Sequence, residues 1–250
     1  MKTIYPMGIG RYILSVFLVA GLAMFANGQS NSTATKTRVG DPSKEITGTR
    51  GSLSTTDLDG AVTPTTLVEN ILGPGITYSN VTYTGASGVG TSSAGLFTGG
   101  TAAGLDFNSG ILLSSGLIQN AIGPNSSPGI SEDLGLPGDA DLTALSGFDT
   151  YDATILEFDF ELDADSIFIQ FIFASEEYNE WVNTSYNDVF AFFLDGTNIA
   201  LVPGTSDPVT VNTINNTVNS SFYVDNTAGG NDIEADGFTT VLTGKGALGA

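Results

Sequence analysis

Carboxylates carry the chemistry available to this chain. Of its 27 Asp and Glu residues, all but Asp41 and Glu45 fall between Asp57 and Asp236. The seven basic residues are Lys2, Arg11, Lys36, Arg38, Lys44, Arg50 and Lys245, and His is absent, so residues 51–244 hold no side-chain cation. Within that stretch each carboxylate must be answered by water, backbone N–H groups or a metal ion. One group of candidates is Ser175-Glu176-Glu177-Tyr178-Asn179-Glu180 together with Asn187 and Asp188. Oxygen-only ligands on a loop suit a hard cation, calcium above all, which takes six to eight oxygens at about 2.3–2.6 Å. The other reading is a Ser175-capped turn whose acids face water.

A second group is Asp225-Asn226, Asn231 and Asp232-Ile233-Glu234-Ala235-Asp236-Gly237. Acids at its positions 1, 3 and 5 with Gly at 6 resemble the opening of a calcium loop. The twelfth position is Thr243 rather than Glu, and the flanks read as β, so an EF-hand is excluded and a non-helical calcium loop stays open. The candidate metal ligands are therefore Glu176, Glu177, Asp188, Asp225, Asp232 and Asp236. Asp139-Ala140-Asp141 reads as an ordinary acidic turn.

Catalysis would need paired acids. Glu177 with Asp188 or Glu180 could serve a carboxylate-dependent glycoside hydrolase, whose two carboxyls stand about 5–9.5 Å apart. Any acid-rich domain offers such pairs, so the signal is unspecific and no catalytic residue is assigned. Trp181, Tyr178 and Tyr186 beside them suit either a sugar-stacking platform or the plug of a sandwich end. The absent residue types exclude more: no His or Cys for a triad or zinc site, and within residues 51–244 no Lys for a Schiff base. With a net charge of −20, phosphate is repelled and nucleic acid is not an expected partner.

The elements that position these acids read as strands. Leu156, Phe158, Phe160 and Leu162 alternate with Glu157, Asp159, Glu161 and Asp163. A period of two places the apolar set on a core face and the acids on the other, either a solvated face or one that meets ions or a partner. Residues 166–173 are apolar on both faces apart from Gln170, as a central strand between two layers requires. Residues 188–194 and 198–202 follow, joined by Asp195-Gly196-Thr197, where Asp-Gly favours a hairpin with positive φ at Gly. Weaker strands are residues 76–84, 110–114, 209–213 and 238–242, and no long helical periodicity interrupts them. Short strands at this spacing predict an all-β fold, an antiparallel two-sheet sandwich or jelly roll. Gly-, Ser- and Pro-rich residues 84–108 and 121–139 read as long loops, functional or mobile.

Ahead of the strands, Lys2 and Arg11 precede an apolar run over residues 12–25 and then Ala26-Asn27-Gly28. This has the form of a secretory signal cleaved after Gly28. Its length of about 14 residues falls short of the roughly 20 of a spanning helix, and no later stretch is apolar enough to cross a membrane. The expected organisation is a signal peptide at 1–28, a Ser/Thr-rich linker at 29–56, one domain at 57–244 and a tail at 245–250. Absence of Cys means an exported domain without disulfides, reliant on its core or on bound ions.

Two further runs add a resemblance. Phe173-Ala174-Ser175-Glu176-Glu177-Tyr178-Asn179-Glu180 and Tyr186-Asn187-Asp188-Val189-Phe190-Ala191-Phe192-Phe193-Leu194 resemble the most recognisable motif of the bacterial choice-of-anchor L domain. Leu96-Phe97-Thr98-Gly99-Gly100, residues 109–116, residues 152–160 and residues 236–242 support it, so the likeness covers residues 67–242. The resemblance implies an exported module of a bacterial cell-surface or adhesive protein with no established catalytic activity. Such domains continue through further β segments after the position of Thr243, so the sheet is expected to be short of its C-terminal strands and the chain a fragment. The expected function is a non-catalytic, calcium-stabilised extracellular module. A secreted carbohydrate-binding module or glycosidase is the alternative.

Overall fold

A computed structural model describes residues 53–73, 76–130, 132–162 and 164–248 in full and residues 10–19 and 24–27 as backbone. In chain order the strands are β1 (Gly10–Val19), β2 (Met24–Asn27), β3 (Ser54–Asp57), β4 (Thr77–Thr84), β5 (Ala94–Thr98), β6 (Ser109–Leu113), β7 (Thr154–Leu162), β8 (Ser166–Ser175), β9 (Val189–Leu194), β10 (Thr197–Asn198), β11 (Val209–Thr210), β12 (Tyr223–Asp225), β13 (Gly237–Thr239) and β14 (Leu242–Ala247). Three short helices join them: α1 (Pro64–Ile71), α2 (Gly100–Ala103) and α3 (Ala140–Ser146). One sheet has the order β10-β9-β1-β7-β4 with β11 also on β9, and the other β12-β13-β8-β2-β6-β5-β3 with β14 also on β8. The described ladders are antiparallel, as expected of the all-β sandwich.

Side-chain parity explains the layers. On β7, Leu156, Phe158 and Phe160 are buried, and on β8 Ile167, Ile169, Phe171 and Phe173 meet them in one core that also takes Phe190 and Phe192 of β9. Phe171 lies 4.8 Å from Phe190 and 5.5 Å from Phe192 between ring centroids, joining the two sheets through their aromatics. The even positions of β8 serve a second layer, where Ile172 and Ala174 pack with Leu112, Ile118, Ala121, Ile233, Ala235 and Phe238. That layer is why residues 166–173 read as apolar on both faces. The exception is Phe168, which is 54% exposed and has Lys245 Nζ 5.4 Å from its ring centroid. On β9 the odd residues Val189, Ala191 and Phe193 pack under α3 through Leu142.

Some expectations shift. The solvated acidic face fails at Asp159, which is 8% exposed and accepts a 2.6 Å hydrogen bond from Asn80 Nδ2, donated across a bulge in β4 between Ser79 and Thr82. Asp163 lies outside the described residues. The stretch 84–108 is not a long loop but contains β5 and α2; its glycines misled, because a Cβ on Gly95 would clash with the carbonyl of Thr56 on β3. The helices are too short for periodicity to show: α1 is eight residues, started by Pro64 and by reciprocal capping between Thr63 and Thr66. Strand β3 begins at Ser54, within the expected linker, and β14 runs through residues 245–247 of the expected tail. The Asp195-Gly196 turn joins β9 to β10 as expected, with φ of 48° and 77°. Of the leader expected at 1–28, residues 10–19 and 24–27 run as β1 and β2, while the proposed cleavage point at Gly28 and most of the linker lie outside the described residues.

Candidate cation site

In the described region most hydrogen-bonded carboxylates are answered by the backbone. Asp59 accepts from Ala61 N, Asp139 from Asp141 N and Leu142 N at the start of α3, and Asp152 from Leu134 N and Leu136 N. Glu234 Oε1 accepts from Ser126 N and Ser126 Oγ, each at 2.9 Å, and from Ser127 N at 3.1 Å. Such bonds hold an anion in place without a cation. Among the described residues three carboxylates keep buried oxygens with no hydrogen-bond partner: both oxygens of Glu176, Oδ2 of Asp236 and Oδ1 of Asp57. Asp57 has its other oxygen bonded by Gly90 N at 2.7 Å.

Glu176 and Asp236 come together by a definable route. Strand β8 ends at Ser175, which places Glu176 beside the second hydrophobic layer. Ile233 and Ala235 insert into the same layer, so the alternating Glu234 and Asp236 are carried to the same end of the sheet. The opposing loop approaches closely: Ile122 bridges Ile233, and a Cβ on Gly123 would clash with the backbone of Asp232 and Ile233. Asn125 then donates to Asp236 Oδ1 at 2.6 Å and to the Asn226 carbonyl at 3.1 Å. Asn226, fully buried, donates to the carbonyls of Ile233 and Ala235 and accepts from Asn231 N, fixing the loop from within.

The electrostatics follow from this enclosure. Glu176 is 5% exposed, Glu234 4% and Asp236 3%. Burial first, then the neighbouring Asp236 and Glu234, push the Glu176 carboxyl up to about 9, with the Ile130 backbone N–H opposing. Asp236 is also raised, by burial and by Glu180, Glu234 and Asp225, against the Asn125 bond. Glu176, with neither oxygen hydrogen-bonded, and Asp236, with one oxygen held by Asn125 and the other free of a donor, could together hold a hard cation, with neutral oxygens and water completing its shell. Among the described residues no three Asp, Glu, His or Cys side chains are grouped to hold a metal by themselves.

The other expected ligands stand elsewhere. Asp188 is 2% exposed and accepts from Ser175 Oγ at 2.5 Å; burial raises its carboxyl well above the usual range, with Glu177 adding to that. Glu177 is half-buried, raised by burial and by Glu180, and donates its backbone N–H to Ser175 Oγ at 2.9 Å, so Ser175 caps the turn, but with Glu176 buried its acids do not all face water as the capped-turn reading had it. Asp225 lies at the surface; despite burial acting the other way, bonds from Thr227 and Asn179 hold its carboxyl below the ordinary value. Asp232 is buried, its backbone N–H bonded to the Ala103 carbonyl at 2.8 Å. Asn125, Ser126 and Ser127 were not among the expected site residues, and Glu234 was read only as the third position of the possible calcium loop. The Asn125–Asp236 contact spans 111 residues and leaves no local signature.

A sealed Asp188 bonded to Ser175 is poorly placed to share a sugar bond with Glu177. The aromatics also divide. Tyr178 is fully buried, its hydroxyl donating to the Ile214 carbonyl at 2.7 Å, and it plugs the sandwich end beside Tyr223. Trp181 and Tyr186 are exposed, ring centroids 4.7 Å apart.

A family model for the choice-of-anchor L domain matches residues 55–249. The chain belongs to the choice-of-anchor L family. No curated protein and no solved structure matches it. Choice-of-anchor L domains are modules of surface or secreted proteins and are non-enzymatic in general. Among the described residues no helix is long and apolar enough to cross a membrane.

Proposed function

We propose that this choice-of-anchor L domain is a non-catalytic module of an exported adhesive protein, displayed at the cell surface and held together at one end by a calcium ion. The observation that carries the calcium reading is the sealed pair Glu176 and Asp236, three of whose four carboxylate oxygens lack a hydrogen-bond donor, in a stretch without a side-chain cation. Leaving charged groups buried and unpaired is costly, and a cation there would remove that cost. An enclosed ion site also suits a structural role rather than turnover, since substrate needs access. The secretory reading of residues 1–28 supports export.

Because an ion that binds only the folded state stabilises it by mass action, melting is the test. Curves in millimolar calcium should lie above those in chelator, and overlaid curves would remove calcium from the account. A panel of chromogenic glycosides should show no turnover. The exposed Trp181 and Tyr186 rings favour weak sugar binding as a second reading, and a glycan array comparing the domain with Trp181→Ala tests it directly.

A further inference from the structure

Two aromatic rings lie outside the hydrophobic layers of the sandwich. Trp181 is 43% exposed and Tyr186 57%, and their centroids stand 4.7 Å apart with the planes inclined at 55°. The loop that carries them is braced from within. Trp181 donates its N–H to the Glu177 carbonyl at 3.1 Å, and Thr184 donates both its N–H and its Oγ1 to the Trp181 carbonyl, at 3.1 and 2.6 Å. Tyr186 N donates to Thr184 Oγ1 at 3.1 Å. From the segment after β11, Asn212 donates to the Thr184 carbonyl at 3.0 Å and accepts from Asn183 N, and its own N–H is taken by Asn187 Oδ1 at 2.9 Å. A ligand that meets rings held this way has little ordering of the loop left to offset.

Ring geometry and charge together decide what this loop can take. Enclosing a point charge between two ring faces needs about 7–8 Å, two van der Waals contacts of about 3.5–4 Å. At 4.7 Å Trp181 and Tyr186 touch one another, so no gap between them admits a cation. What they leave exposed suits a broad apolar surface such as the C–H face of a pyranose ring. Charge selects further. Glu180 beside Trp181 is exposed, and Asn179 donates to the exposed Asp225 at 3.2 Å, which puts a second carboxylate at the start of the loop. Lys245, the one basic residue whose side chain is described, lies over Phe168 near the other end of β8. Carboxylated, sulfated or phosphorylated sugars are repelled at such a place, whereas a protonated amine is attracted both to the acids and to the ring faces. We propose, building on the sugar-binding reading of these rings, that Trp181 and Tyr186 form a stacking platform for glycans whose hexoses carry free amines.

Trp181 is the only tryptophan of the chain, so its fluorescence reports on the platform directly. The full chain is titrated at pH 6 with oligomers of glucosamine, of N-acetylglucosamine and of galacturonate, matched in length. A saturable change is expected with the glucosamine oligomer, about threefold tighter than with the N-acetyl oligomer, the advantage fading in ~0.5 M salt, and no change with galacturonate. Tyr186→Ala, which keeps the reporter, should weaken both by about fivefold or more. Glu180→Gln should remove most of the amine's advantage and leave the N-acetyl oligomer's affinity unchanged. Equal affinity for the amine and N-acetyl oligomers, or binding of galacturonate, would overturn the amine preference and leave the sugar reading standing. Binding of none of the three, or binding that Tyr186→Ala leaves intact, would overturn both. An oligolysine that binds as tightly as the glucosamine oligomer and is weakened equally by Tyr186→Ala would mark a site for basic peptides and overturn the glycan assignment.

Discussion

Replacing Glu176 with Gln is expected to stabilise the calcium-free domain at alkaline pH and to do little at pH 5. The carboxyl ionises near its usual value of 4.5 in the unfolded chain and at about 9 in the fold. Between those values the folded state holds a proton that the unfolded state has lost, so stability falls as pH rises through the window. Below it both states are protonated and the contribution vanishes. Each pH unit inside the window costs about 1.4 kcal/mol, so raising pH from 5 to 8 removes roughly 4 kcal/mol at most, and relaxation of the site reduces this to about 2–4 kcal/mol. Gln cannot ionise and keeps the shape. Urea unfolding in chelator at pH 5 and pH 8 should show wild type losing that amount more than Glu176→Gln. Equal pH dependence in the two proteins would refute the enclosure of an unanswered carboxylate.

Other substitutions probe the supports of the site. Asn226→Ala removes the amide that bonds the Ile233 and Ala235 carbonyls and should cost about 2–4 kcal/mol in denaturant unfolding. Ser175→Ala strips Asp188 of its hydroxyl donor; a loss of about 1–3 kcal/mol is expected, smaller at acid pH where the buried carboxyl is protonated in both states. Gly123→Ala drives a methyl into the backbone of Asp232 and Ile233 and should lower stability by about 1–3 kcal/mol, read from the same unfolding curves.

Local pattern carried a good part of the fold. Alternation marked β7, two-faced apolarity marked β8, and Asp195-Gly196 marked the turn after β9, because each follows from side-chain period or backbone φ within a few residues. Strand β5 escaped because Gly95 is there for the close approach of Thr56, a contact from another strand that composition does not encode. Asp159 escaped for the same kind of reason, since its partner Asn80 lies on β4. At the candidate site the sequence marked Glu176 and Asp236 as acids lacking a cation, yet their meeting depends on the second hydrophobic layer and on a loop 111 residues from Asp236. Asp188 and Asp225, equally acidic in sequence, are held by Ser175 and Thr227 instead.

A single cation shared by Glu176 and Asp236 would be seen in binding. Calorimetric titration of calcium into the chelator-stripped domain, beside Asp236→Asn, tests it most directly. A single saturable site is expected in the wild type and its loss in the variant, with both proteins folded. No binding heat in the wild type, or the same isotherm from both, would contradict it.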